Sequence, residues 1–330
     1  MCSLVGYIIA KGNLSAAEKT KLIRCLLTEG DTRGGHASGV AYWKGGTAYT
    51  FKAPCLGSKL NPDISGDTKC VMGHTRYATV GDCEQNDNNH PFWSKMGYHL
   101  AHNGCLYREK QVREKYNLNM HPAVQTDSYL FVQLIDKLGG ANAENIKTAM
   151  EEITGSKCIS ILDESGLWLA KDDNPLEIRR VETKGGCVMY VYASTAAILE
   201  VALKLSKIKT TSSTKIDIKK GDIIRIPYTG EISVTNFKSN ALNGLSYWNR
   251  GLYGLNSYDY DYSCDYEDYG DYEDEENVDA IRWLSSFGIT REQIHEMFMY
   301  GYDYDDIFDA VADGSIWELF GEYEDDACGK

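Results

Sequence analysis

The chain has 330 residues, with 48 Asp and Glu against 34 Lys and Arg and a formal charge of −14, enough length for one large domain with an appendage or for two. The charge is unevenly placed: residues 1–240 hold 25 acidic and 30 basic side chains, whereas residues 241–330 hold 23 and 4, so a mildly basic body precedes an acidic tail of the kind that marks an interaction or regulatory segment. No stretch approaches the ~20 apolar residues of a membrane span, residues 4–10 are too short and lack the basic flank of a secretory leader, and the 10 scattered cysteines include no C-x-x-C pair, which argues against zinc knuckles and redox pairs; a reducing cytoplasm is the expected setting.

In chain order, residues 3–10 read as a buried strand directly after Cys2. Residues 15–29 have helical periodicity (Leu22, Ile23, Leu26, Leu27) and open on the capping-box pattern Ser15-x-x-Glu18, which satisfies two orphan backbone donors at once. Short β-rich runs follow at 39–43, 48–52, 70–77 and 97–101, separated by Gly, Asn and Pro. Helical patterns occupy about 107–116, 127–138 and 142–153, then strands resume at 158–162, 167–170 and 188–193. A helix over 196–206 precedes strands at 223–226 and 232–234. Runs of strands and runs of helices without βαβα alternation predict an α+β fold of layered antiparallel sheets.

The composition changes near Ala241. Residues 257–276 alternate Asp or Glu with Tyr and have almost no aliphatic side chains, too little apolar surface to offset chain entropy, so 241–276 is expected to be an acidic, Tyr-rich disordered linker. Beyond it, 278–287, 290–299 and 305–312 have the pattern of short helices, with Thr290-x-x-Gln293 as a second capping box. The expected organisation is therefore a domain over 1–240, the linker over 241–276, and a small helical segment over 277–330.

Cys2 organises the chemistry. If Met1 is removed, one Cα carries both a thiol and a free α-amine, a nucleophile with a built-in base, because an α-amine titrates near pH ~8. The plain alternative is a cysteine that happens to precede an N-terminal strand. Downstream lie Arg33-Gly34-Gly35-His36, a Gly73-to-Gly81 segment containing Arg76-Tyr77-Ala78-Thr79, Ala101-His102-Asn103-Gly104, and Thr126-Asp127-Ser128.

In this order, behind Met-Cys-Ser-Leu-Val-Gly, these motifs resemble the glutaminase domain of class II, N-terminal-nucleophile glutamine amidotransferases, of the amidophosphoribosyltransferase and glucosamine-phosphate synthase type. The resemblance covers about residues 1–235. It implies a four-layer αββα sandwich and glutamine as substrate, and it requires no cofactor or metal. Acylating a thiol with a carboxamide builds an oxyanion that preorganised donors must hold. The side chain of Asn103 and the backbone N–H of Gly104, at an expected strand end, are assigned that task, although Asn-Gly also suits a tight turn. Arg76 is suited to the α-carboxylate of glutamine, since its fork matches a carboxylate bidentately, or else to a surface ion pair. Asp127 is suited to the α-ammonium, or else to capping a helix. Tyr77 and Thr79 are expected to shape the pocket. Arg33 lies in the loop that packs beside the nucleophile in the family, and His90, in Asn89-His90-Pro91, either supports the site or is a loop residue. His36 is assigned no role, Ser3 replaces the family's common Gly, and His74 and His102 are read as structural rather than as general bases.

Residues 241–330 carry no P-loop, dinucleotide fingerprint or phosphoribosyl-binding loop. The expected ammonia acceptor is thus a separate synthase, with a basic protein as a further partner of the acidic tail, and neither nucleic acid nor membrane. The competing readings are a stand-alone N-terminal-cysteine amidase acting on γ-glutamyl or other amides, and a non-catalytic interaction protein working through its tail.

Overall fold

The computed structural model describes residues 2–240 together with Leu284, Ile289, Ile307 and Val311. The expected linker over 241–276 lies outside the described residues, as does the expected helical segment over 277–330 apart from those positions.

Two antiparallel sheets dominate residues 2–240. Across the first, the strand order is β11 (Thr210–Ile216), β9 (Glu177–Thr183), β10 (Val188–Ala193), β1 (Ser3–Lys11), β4 (Cys70–Arg76), β2 (Ala37–Lys44) and β3 (Thr47–Ala53). The second runs β13 (Ser233–Asn236), β12 (Asp222–Pro227), β8 (Gly166–Lys171), β7 (Thr154–Asp163), β6 (Tyr98–Tyr107) and β5 (Phe92–Ser94). Helices α1 (Ala16–Gly30) and α5 (Ala196–Ser206) flank the first sheet, while α2 (Glu109–Tyr116), α3 (Tyr129–Lys137) and α4 (Ala143–Glu152) flank the second.

The layering follows from side-chain alternation. In β1, Val5, Tyr7 and Ile9 face Leu22, Ile23, Leu26 and Leu27 of α1 and Leu199 of α5. Leu4 and Ile8 point the other way, onto Ala101, Leu162, Leu169, Ile224 and Ile226 of the second sheet, beside the thiols of Cys70 and Cys158. The far face of that sheet buries Leu100, Ile159 and Ile161 against Phe131, Leu134, Ile135, Ile146 and Met150. A strand buried on both faces reads as a nearly continuous apolar run, and each fully buried Leu or Ile stabilises the fold by roughly 1.5–3 kcal/mol. The result is an α+β sandwich in the order αββα, as the resemblance implied.

The capping box of α1 is present: the Glu18 N–H donates to Ser15 Oγ at 3.2 Å, and the Ser15 N–H donates to Glu18 Oε2 at 2.9 Å. Three strands have no counterpart in the sequence reading. In β9 the apolar alternation is broken by Arg179-Arg180, β11 is an edge strand of Thr, Ser and Lys with exposed side chains, and β5 spans only 3 residues. Strand β6 also runs on to Tyr107, so Asn103 and Gly104 lie inside it, paired with Cys158 and Lys157 of β7, and not at the expected strand end.

Candidate active site

Cys2 leads into β1, the strand flanked by β10 and β4. Its Sγ lies 3.3 Å from the donating N–H of Tyr77 and 3.4 Å from the Tyr77 carbonyl oxygen. Its own carbonyl accepts from Arg33 Nε at 3.0 Å and from Asn103 Nδ2 at 3.1 Å. The loop after α1 and strand β6 of the other sheet therefore converge on the nucleophile's backbone. Close packing demands glycine in that loop, because a Cβ at Gly34 would meet the Thr75 carbonyl oxygen at 2.5 Å. Burial pushes the Cys2 thiol above its ordinary pKa, opposed in part by the Tyr77 N–H, which favours the thiolate.

On β6, both hydrogens of Asn103 Nδ2 are engaged, one by Cys2 and the other by Ser194 Oγ at 2.8 Å. Gly104 is at φ +140°, and a Cβ there would sit 1.7 Å from the Ser156 carbonyl oxygen, so only glycine fits. Asp127 is buried and accepts from the Leu106 N–H through Oδ2 at 2.8 Å and from the hydroxyls of Thr126 and Ser128 through Oδ1, each at 3.2 Å. Its carboxylate thus ties the approach to α3 onto β6. No side-chain bond caps the start of that helix, which sets the capping alternative aside.

Arg76 ends β4 and is 3% exposed. Nη1 donates to Asn89 Oδ1 at 2.9 Å, and Nη2 donates to the carbonyls of Val80 and Gly81 at 2.5 and 2.9 Å. Neutral oxygens thus engage three of its five donors, and it forms no ion pair among the described residues, so it is not a surface salt bridge. Tyr77 is 47% exposed and stacks on His36 with ring centroids 4.6 Å apart, while Thr79 is half-buried on the same loop. His90 is buried between His74 and Phe92, at centroid distances of 4.2 and 4.4 Å.

Burial also sets the imidazoles. His74 is pushed down to about 3, chiefly by desolvation and then by the Arg76 charge. Its Nε2 donates to the His102 carbonyl at 3.1 Å, the only role a ring nitrogen can take toward a carbonyl. His90 is lowered by burial and by its neighbour His74. His102, lowered by burial against the opposing pull of Asp127, contacts Ser128 Oγ at 2.8 Å through Nδ1. Neutral, enclosed rings of this kind frame a site and do not shuttle protons at neutral pH.

A nucleophilic sulfur, an amide and glycine corner, a buried guanidinium and a buried carboxylate are therefore held at one end of the two sheets. Residues 1–162 match the family model described as glutamine amidotransferases, class II. The chain carries a class II glutamine amidotransferase domain. The domain is 27% identical over 251 residues to the glutamine–fructose-6-phosphate aminotransferase of Shouchella clausii, covering 72% of this chain and 41% of that protein. The corresponding protein of Streptococcus pneumoniae is 30% identical over 187 residues, 54% of this chain and 30% of the relative. The chain thus spans less than half the length of these curated relatives. Among solved structures, glutamine phosphoribosylpyrophosphate amidotransferase from B. subtilis superposes with a TM-score of 0.54 at 22% identity, over 72% of this chain and 49% of that one. The structure titled as the allosteric regulatory enzyme of purine biosynthesis gives 0.55 at 21%, over 73% and 50%. Both show the fold.

The amidotransferase domain also uses residues that the sequence reading passed over. The buried Ser194 hydroxyl accepts from Asn103 Nδ2 and from the Leu4 N–H, each at 2.8 Å, so it joins the two sheets directly behind the nucleophile. A lone serine after an apolar strand offers no motif by which to find it. His36, given no role, accepts from the Ala78 N–H at 3.0 Å through Nδ1 and thereby holds the loop that carries Tyr77. Among the described residues, no group of three or more His, Cys, Asp or Glu is arranged to hold a metal ion, and no helix is long and apolar enough to cross a membrane.

Proposed function

We propose that the chain hydrolyses the side-chain amide of glutamine through a thioester on Cys2 and hands the ammonia to a synthase on a separate chain. The observation that supports this reading best is the convergence of Arg33 and Asn103 on the Cys2 carbonyl, which sets the sulfur beside the Asn103–Gly104 corner. Arg76 receives the α-carboxylate of glutamine, Asp127 receives its α-ammonium, and Tyr77 and Thr79 wall the pocket. Arg33 and His90 support the site, the first through the Cys2 backbone and the second by packing under His74.

With Met1 removed, the α-amine of Cys2 takes the thiol proton, directly or through one water, as sulfur bonds to the δ-carbon of glutamine. The carbonyl oxygen becomes an oxyanion held by Asn103 Nδ2 and the Gly104 N–H. In this scheme the Asn103 hydrogen now on the Cys2 carbonyl moves to the oxyanion while Ser194 keeps the other. One such donor typically lowers the barrier by about 2.7–4 kcal/mol. The ammonium of Cys2 then protonates the leaving nitrogen, the C–N bond breaks and ammonia departs. Water adds to the thioester, the C–S bond breaks, and glutamate and the free thiol are restored.

Cys2→Ala is expected to abolish glutamate release while the near-UV circular dichroism of the fold persists, and the intact mass of active protein should lack one methionine. Undiminished turnover by Cys2→Ala would overturn the scheme. Residues 241–330 themselves carry no phosphate- or nucleotide-binding motif. Affinity capture on the full chain should recover a synthase that takes up the ammonia. The acidic surplus of the same residues fits a basic protein partner, whose co-purification should fail in high salt.

A further inference from the structure

We propose that Asn174 is a positioning residue for this reaction: its amide clamps the Asn103–Gly104 peptide so that the Gly104 N–H faces the substrate. The proposal rests on the oxyanion reading above and deepens it.

Asn174 lies in the turn between β8 and β9. Its Nδ2 donates to the Asn103 carbonyl at 3.2 Å and to Ser156 Oγ at 2.7 Å. A carbonyl can only accept, which fixes which way the Asn174 amide is turned. In a trans peptide the C=O of one residue and the N–H of the next point in opposite directions, so a grip on Asn103 O dictates where the Gly104 N–H points. The strand pattern gives the same direction. The Leu106 N–H meets Asp127 Oδ2 at 2.8 Å, and N–H groups two residues apart on a strand face the same edge. Among the described residues that edge has no strand beside Gly104, because β5 pairs only with Tyr98, His99 and Leu100. The Gly104 donor and the Asp127 carboxylate thus share one side of β6.

The clamp is needed because of the glycine. At φ +140°, with no Cβ, the chain at Gly104 lacks the steric barrier that would keep another residue's peptide from turning over. The turn that carries Asn174 is itself anchored to Lys157, the residue opposite Gly104 in the ladder. The Asp172 N–H donates to the Lys157 carbonyl at 3.1 Å, and the Lys157 N–H donates to Asp173 Oδ1 at 2.9 Å. Lys157 Nζ pairs with Asp172 Oδ2 at 3.2 Å, both side chains fully buried. Ser239 Oγ donates to the other oxygen of Asp172 at 2.5 Å. A buried pair of this kind adds little net stability after desolvation, yet losing one partner is costly, so it holds the turn in one place.

The test uses the full chain, with Met1 removed, as Asn174→Ala and as the near-isosteric Asn174→Asp, which sets an acceptor against the Asn103 carbonyl. Both should lower kcat about tenfold or more, short of the roughly 10²–10³ lost when an oxyanion donor is removed outright, with KM for glutamine within about twofold of the parent. Alkylation of Cys2 by iodoacetamide, read on the Cys2 peptide by mass spectrometry, should keep its rate, because displacing iodide builds no oxyanion. Folded variants with parental kcat would overturn the proposal. So would a fall in kcat matched by an equal fall in alkylation, which marks a general disturbance of the site. Asn103→Ala in the same assay separates the two levels. If it too keeps full kcat, the oxyanion reading itself fails; if it alone loses kcat, only the role of Asn174 falls.

Discussion

The two sides of the site are built by different means. Asn103 and Gly104 sit inside β6, paired residue for residue with β7, with the Asn103 amide held by Ser194 and its carbonyl by Asn174. Arg76, by contrast, ends its strand and points its guanidinium into the loop that follows, binding the Val80 and Gly81 carbonyls and Asn89. One side is preorganised by a sheet, while the other is a loop wound around a buried cation. In the proposed reaction the oxyanion donors must be in place before charge develops, and this favours the sheet. A group that closes on the ends of a free amino acid can be carried by a loop, with Tyr77 exposed at its rim.

Substitutions should separate the two sides. The largest effect is expected at Gly104→Ala. Its Cβ would collide with Ser156 O, and the positive φ is closed to alanine, so stability should fall by more than about 4 kcal/mol and glutaminase activity should vanish, as read by thermal melting and glutamate release. Acid should come next, acting on imidazoles buried within the strands. His74 and His99 are held neutral down to about 3, mainly by burial, whereas an unfolded chain protonates them near pH ~6.5. The unfolded state therefore binds more protons between those limits. Stability should be flat above pH ~6.5 and decline below it, by up to about 1.4 kcal/mol per pH unit for each histidine. Denaturant midpoints measured across pH 4–8 check this.

On the loop side the effects should be smaller and should fall on binding. Arg76→Lys keeps the charge but loses the fork that spans three oxygens, so KM for glutamine should rise about 10- to 100-fold, the range of a lost charged hydrogen bond, with a lesser fall in kcat. His36→Ala removes the stack on Tyr77 and the acceptor for the Ala78 N–H, interactions that contribute about 0.5–1.5 kcal/mol. KM should rise about threefold with kcat unchanged. If His36→Ala instead lowers kcat as strongly as a strand substitution, the contrast between the two sides is wrong.

The parts legible in the sequence were those whose pattern is local. The apolar run of β1, the α1 stripe behind Ser15-x-x-Glu18, and the exact span of α5 all appear as periodicity, because each packs its own side chains against a sheet. Edge strands do not announce themselves this way: β11 buries almost nothing, and Arg179-Arg180 disrupts the alternation in β9 while both side chains reach carboxylates. The site followed the same division. Cys2, Arg76, Asn103, Gly104 and Asp127 stand in short motifs. Ser194 and Asn174 act on Asn103 from 91 and 71 residues away, and neither carries any signal in its neighbours.

The burial of thiols between the sheets has a consequence for damage. Cys158, opposite Asn103, is pushed up to about 12, and Cys70 is raised further still, both by desolvation. Protonated and enclosed, they are poor targets for peroxide, which attacks accessible thiolate. Half-buried Cys2 is open to solvent, and although burial raises its thiol too, the Tyr77 N–H pulls the other way. Mild oxidation should therefore silence the molecule as a sulfenic acid while its sandwich remains intact, and a reductant should restore it without refolding.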